Sequence, residues 1–269
     1  MSKGMEAWLE RHPFLEPIAH LEATVHECLR RLPQPGPTET DFEPYRAEFE
    51  AGVPLLGSQS AGPKLLAEAA GTFAALGESL ARAALPEPLA GKLRALHEHI
   101  RKAEVLSAIA LEREDAASLP HSGTARYLAW KALAHALGPT IESFAAWREG
   151  RLWPPDHCPT CGAKPALSLL TKQAEGRRRS LACGLCGTRW PVRRLGCPHC
   201  GSTDEAQLAI FELEDEPELR LEVCDLCKGY VKTWSGDEAP FFTDWSTLHL
   251  DAMARDRGYQ RLGASLYEL

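Results

Sequence analysis

Eight of the nine cysteines in the 269-residue chain fall between positions 158 and 227, and all eight stand in Cys-x-x-Cys pairs. No other feature limits the fold as strongly. In a reducing compartment such spacing points to metal binding before disulfides. A thioredoxin-type redox pair stands alone in a βαβ setting, so four independent redox disulfides are the weaker reading.

The cysteine region repeats itself. HCPTCG at 157–162 corresponds to GCPHCG at 196–201, and LACGLCG at 181–187 to EVCDLCK at 222–228, with offsets of 39 and 41 residues. Between its pairs each unit carries a segment that reads as a hairpin, PALSLL…RRRSLAC and AQLAIFEL…ELRLEVC. This is the layout of a zinc ribbon or rubredoxin-like module, in which two knuckles meet across a small sheet. The spacing favours sequential pairing: Cys158, Cys161, Cys183 and Cys186 for the first metal, and Cys197, Cys200, Cys224 and Cys227 for the second. A cross-braced arrangement is the rival and stays open at this point. Four thiolates suit both zinc and iron. Glycine follows Cys161, Cys186 and Cys200, as a knuckle turn favours, but Lys228 follows Cys227, which predicts an altered fourth knuckle. Each shell is complete with four sulfurs, so His157 and His199 are expected outside it.

TRWPVRRLG joins the two units and reads as a short connector. Its Arg189, Arg193 and Arg194 are candidate partner-binding residues. Arg177, Arg178 and Arg179 add to the basic character of the first unit, whereas Glu212, Glu214, Asp215, Glu216, Glu218 and Glu222 make the second acidic. The two readings of this contrast are repeats that face each other and solvated strand faces.

The first 150 residues read as helical. Phe14, Leu15, Ile18, Leu21, Val25, Cys28, Leu29 and Leu32 recur at steps of three and four, which makes Cys28 a core residue. RLPQPGPT should end that helix. Further helices are predicted at about 62–84 and 87–115, and another after HSGT with Ser122 or Thr124 as its N-cap. Pro139 should break or kink that helix. Trp130 and Trp147 are expected in the core. The spacing of His20 and His26, and of His97 and His99, does not suit a helical metal pair. The expected architecture is α+β: a bundle of five or six helices over 1–152, metal ribbons at 153–193 and 194–236, and a C-terminal helix and tail at 237–269. Beyond Cys227 the chain reads as strand-like GYVKTW, an irregular stretch and then a helix near 244–257.

A formal charge of −7 speaks against a general nucleic-acid binder. Eight thiolates holding two divalent ions would add about −4 more. The N-terminal residues have no apolar core of a signal peptide, and no stretch approaches a membrane span, so a soluble cytoplasmic protein is expected. Dinucleotide, Walker and H-E-x-x-H motifs are missing, and no carboxylate pair stands out for acid–base work. A closed four-sulfur site has no open position for Lewis-acid chemistry. These readings predict a chain that is not an enzyme and has no small-molecule substrate.

CPTCGAKP, LACGLCGTRWPVRRLGCPHCG and EVCDLCKGYVKTW, with the tail TDWSTLHLDAMARDRGY, resemble the formate dehydrogenase accessory (formation) protein FdhE family. The resemblance implies a non-catalytic cytoplasmic maturation factor. It would act on the catalytic subunit of respiratory formate dehydrogenase before export, with rubredoxin-like iron at the cysteines. A rubredoxin-like electron carrier and a zinc-ribbon nucleic-acid module are the alternatives.

Overall fold

The computed structural model describes residues 3–33, 40–83, 85–151, 153–154, 156–173, 176–236 and 242–267. It divides into two compact units, Pro17–Leu152 and Met1–Glu16 together with Trp153–Leu269. The first sixteen residues, assigned by sequence to the bundle, therefore belong with the metal ribbons. Their charge-rich composition hid an amphipathic helix, α1 (Lys3–Arg11), which buries Trp8 and Leu9.

The helical unit contains α2 (Glu16–Arg30), α3 (Arg46–Glu50), α4 (Gly62–Ala81), α5 (Glu87–Ile100), α6 (Ala103–Ala110), α7 (Glu114–Ala117), α8 (Ser122–Ala136) and α9 (Gly138–Trp147). Among the described residues this exceeds the five or six expected, because the predicted helix over 87–115 is three. Its apolar stripe steps by five from Ile100 to Val105, too far for one helix face, and the extended backbone at Lys102 absorbs the slip. The predicted cap at Ser122 or Thr124 also fails: the α8 N-cap is His121, at φ 50°, with no side-chain cap bond. Pro139 opens α9 in its first turn, where its missing N–H costs no helical bond. The predicted stop at RLPQPGPT lies mostly outside the described residues, although α2 ends just before it.

α4 packs on α5, α6 and α8, and Leu76, Leu80, Leu96, Leu106 and Leu133 are fully buried around it. A methyl on Gly77 would stand 1.9 Å from Ile100 Cδ1, so α4 and α5 approach closely only because this position has no side chain. Glu22 on α2 accepts from Tyr127 Oη and Lys131 Nζ on α8, both at 2.6 Å. Phe42, Tyr45, Phe49 and Phe144 form a second, aromatic core, and Trp147, expected inside it, stacks on its edge half-buried. Cys28 and Trp130 are buried.

The other unit is built on one seven-stranded sheet. Its strands are β1 (Leu167–Gln173), β2 (Gly176–Ala182), β3 (Arg189–Val192), β4 (Leu208–Glu212), β5 (Leu219–Cys224), β6 (Gly229–Ser235) and β7 (Gln260–Arg261). The order is β3-β2-β1-β6-β5-β4, with β7 beside β6. Each repeat is an antiparallel three-stranded ribbon, and the two ribbons fuse where β1 and β6 pair in parallel, Leu167 opposite Lys232 through Leu170 opposite Ser235. The expected connector TRWPVRRLG thus contributes a strand of its own, Arg189–Val192, in which Trp190 is fully buried.

β6 is buried from Gly229 to Thr233, as a central strand covered on both faces should be. α10 (Leu248–Asp256) contacts β5 and β7. Under it lies a charge network that the sequence reading passed over. Lys232, 1% exposed, donates to Asp244 Oδ1 at 2.5 Å and Asp251 Oδ2 at 3.0 Å. Tyr230 donates to Asp251, and Arg261 pairs with both aspartates. A lysine at an inward position of GYVKTW was the available signal, because a buried ammonium requires carboxylates.

Candidate metal centres

The structure gathers the cysteines sequentially, not cross-braced. Cys158, Cys161, Cys183 and Cys186 form one cluster, and Cys197, Cys200, Cys224 and Cys227 another. The first knuckle of each set precedes its hairpin, and the second follows the returning strand. Sulfur–sulfur distances are 3.5 Å for Cys158–Cys186 and Cys161–Cys183, 3.6 Å for Cys197–Cys227 and 3.8 Å for Cys200–Cys224. All eight thiols are free. A tetrahedron with metal–sulfur bonds of about 2.3 Å has an edge of roughly 3.8 Å, so both sets suit a metal ion.

Local backbone geometry produces these pockets. Gly162 N–H closes the first turn on Cys158 O at 2.9 Å, and Gly201 N–H closes its counterpart on Cys197 O at 3.0 Å. Thr160, Leu185 and His199 each aim a backbone N–H at the first sulfur of their knuckle, at 3.4 Å. These donors partly offset thiolate charge. Gly162, Gly187 and Gly201 take φ of 80°, 74° and 75° after their knuckles. Lys228 takes φ 55°, the same left-handed region, so the fourth knuckle keeps the geometry that its sequence put in doubt. Its Nζ donates to Asp225 Oδ1 at 2.6 Å and lies over the Tyr259 ring.

The first centre is closed. Cys158, Cys183 and Cys186 are buried, and Cys161 is half-buried. Cys186 Sγ lies 3.2 Å from the Thr188 hydroxyl, itself 2.8 Å from that of Thr160. These buried hydroxyls can relay an O–H toward a thiolate. Without metal, hydrogen bonding with Cys158 pushes the Cys161 thiol well up. Burial opposes ionisation of Cys186, yet hydrogen bonds from the other three sulfurs and Thr188 hold its thiol well below the usual range. The C-terminal tail seals this side. A methyl on Gly184 would meet Ala264 O at 2.3 Å, and Ala264 N–H donates to Lys164 O at 3.1 Å.

The second centre is open. Cys200 is exposed and Cys227 half-buried. Leu195, Leu226 and Ile210, at 67%, 65% and 52% exposure, belong to its ribbon. A cavity of about 290 Å³ beside it is lined by Arg194, Leu195, Cys197, Ile210, Cys224 and Val231, among others. His199 is no part of the cluster: its Nε2–H donates to Tyr230 O at 2.9 Å, and burial keeps the ring below the usual histidine range. His157 pairs with Asp156 instead.

The basic stretch serves two roles. Arg189, Arg193 and Arg194 are exposed. Arg179 is buried, pairs with Glu222 at 2.5 Å, and donates to Ser168 Oγ, Arg194 O and Gly196 O. One guanidinium thus ties the basic ribbon, the seam and the acidic ribbon together. The repeats of opposite charge do meet at the Arg179–Glu222 pair.

No helix among the described residues is long and apolar enough to cross a membrane. Residues 157–194 match the model of the FdhE central domain, and 195–267 that of the FdhE C-terminal domain. The boundary between them falls at the seam between the ribbons. A Protein FdhE homolog of Stutzerimonas stutzeri is 34% identical over 114 residues, 40% of this chain and 37% of that protein. The Shewanella baltica homolog is 34% identical over 107 residues, covering 38% and 35%. The Aquifex aeolicus homolog is 30% identical over 131 residues, 46% of each chain. The chain thus aligns with less than half the length of these relatives. The crystal structure of the FdhE protein from Pseudomonas aeruginosa has the same fold, with a TM-score of 0.61 and 24% identity over 93% of this chain and 86% of that one. Residues 157–267 of the chain thus match the central and C-terminal domains of the FdhE family.

Proposed function

We propose that the chain is a non-catalytic accessory factor for respiratory formate dehydrogenase, acting in the cytoplasm on the catalytic subunit before export. The family's central and C-terminal domains, laid over both cysteine clusters, carry this reading. Each set of four sulfurs holds one metal. Iron in a rubredoxin-like setting is the reading the family resemblance favours, and zinc suits the same donors. Bound there, the metal supplies either a fold-locking cross-link or a single electron.

The client face in this reading lies along Arg189, Arg193 and Arg194 and runs onto the apolar residues of the second ribbon. Exposed arginines beside exposed Leu195 and Leu226 support it, since cationic and apolar groups together suit a protein partner. Exposure of Cys200 also supports a second reading, an electron carrier, because one-electron exchange requires a centre near the surface.

The test is anaerobic co-purification with the catalytic subunit, followed by metal analysis. The accessory reading predicts a complex that is lost on reversing Arg193 and Arg194 to Glu. It also predicts that deleting the gene abolishes formate dehydrogenase activity while the subunit is still made. Untouched activity in the deletion strain contradicts it. A chain that carries only zinc when prepared without oxygen eliminates the electron carrier.

A further inference from the structure

Outside the cysteine clusters, three chemistry-bearing side chains from distant parts of the sequence meet in the ribbon unit. His12 follows α1, Glu216 lies in the turn between β4 and β5, and His249 is on α10. Glu216 Oε1 is 2.5 Å from His12 Nε2, and Oε2 is 2.9 Å from His249 Nε2. The imidazoles stack with centroids 4.5 Å apart and 19° between planes, and the Trp8 ring lies 4.5 Å from His12. The donor atoms of all three residues lie within 4.8 Å of one another.

The charges are unbalanced for a purely structural cluster. Glu216 is only 7% exposed, and His12 and His249 are its ion-pair partners among the described residues. A buried carboxylate needs a cation. Burial holds His249 below the usual histidine range, although Glu216 pulls the other way. The stacked His12 ring adds to that lowering of His249. Neutral imidazole is the form that binds a metal.

We infer that His12, Glu216 and His249 form a third metal site, for a borderline divalent cation such as Zn²⁺, Co²⁺ or Fe²⁺. Two nitrogens and a carboxylate oxygen suit such ions and leave coordination positions open. A cavity of about 220 Å³, lined by Trp8, Arg11, Glu216 and Trp234 among others, adjoins the carboxylate and has room for a water or a small ligand. Moving each ring proton to Nδ1 turns both Nε2 atoms from donors toward Glu216 into ligands. The buried Nδ1 of His249 has no partner to support that tautomer, so binding is expected to be about 10–100-fold weaker than at a fully supported site. The metal would clamp α1 to the second ribbon and α10. None of this depends on the formate dehydrogenase reading.

The test uses the full chain with both cysteine centres filled by Zn²⁺ and titrates it with Co²⁺. The expected result is one further equivalent with weak visible bands and no intense sulfur-to-cobalt absorption, which would report exchange into the thiolates. Glu216→Gln keeps the hydrogen-bonding capacity while removing the charge, and should weaken this binding at least about tenfold. His249→Ala should abolish it, with near-ultraviolet circular dichroism checking the fold of each variant. No third equivalent in the wild type would overturn the site and leave a carboxylate-bridged histidine pair. Cobalt binding unchanged in a natively folded Glu216→Gln variant would overturn it as well.

Discussion

The two four-cysteine centres come from one duplicated motif, yet their surroundings differ. The first is enclosed by Thr160, Thr188 and the tail at Ala264, whereas the second presents Cys200 beside exposed Leu195 and Leu226. Identical ligands therefore do not imply identical roles. What surrounds a closed tetrahedral site decides whether it can exchange metal, electrons or partners with the outside. The closed centre is placed to hold the sheet together, and the open one to meet something else.

Removing one ligand from each centre should have the largest effect. Cys186→Ser is expected to lose the first metal and bring down the ribbon unit, since structural binding of about 10–16 kcal/mol is coupled to folding. Cys200→Ser should lose only the second metal and leave the first bound. Metal analysis with calorimetry checks both, and equal damage from the two changes would erase the distinction. Next comes the tie between ribbons. Arg179→Met leaves Glu222 with only Arg220 and strips two carbonyls of their donor, at a cost of about 3 kcal/mol in denaturant unfolding. If the ribbons are independent, the change will be near zero. The smallest effect should come from Lys228→Gly. Relief of left-handed strain should stabilise the second ribbon by about 1 kcal/mol, reduced by loss of the exposed Lys228–Asp225 pair.

Much of the metal region was legible because Cys-x-x-Cys spacing fixes local geometry almost by itself. The tandem repeat and the hairpins within it were readable for the same reason. Less was legible wherever the outcome depended on contacts between distant residues. The parallel pairing of β1 with β6, which fuses two ribbons into one sheet, has no local signature. Arg179 looked like its neighbours Arg177 and Arg178, and only tertiary burial separates it from them. Helix α1 was masked by its charges, and its membership of the ribbon unit rests on contacts such as Trp8 Nε1 to Ser246 O at 3.0 Å. Lys228 shows the converse: an unfavourable residue in a knuckle turn was overruled by the turn itself.

The most direct measurement of the asymmetry is pulsed alkylation of the metal-loaded full chain, with each cysteine mapped by mass spectrometry. The account predicts that Cys200 and then Cys227 react first, while Cys158, Cys161, Cys183 and Cys186 stay protected until the ribbon unit unfolds. Uniform labelling of both centres, or earlier labelling of the first, would contradict it.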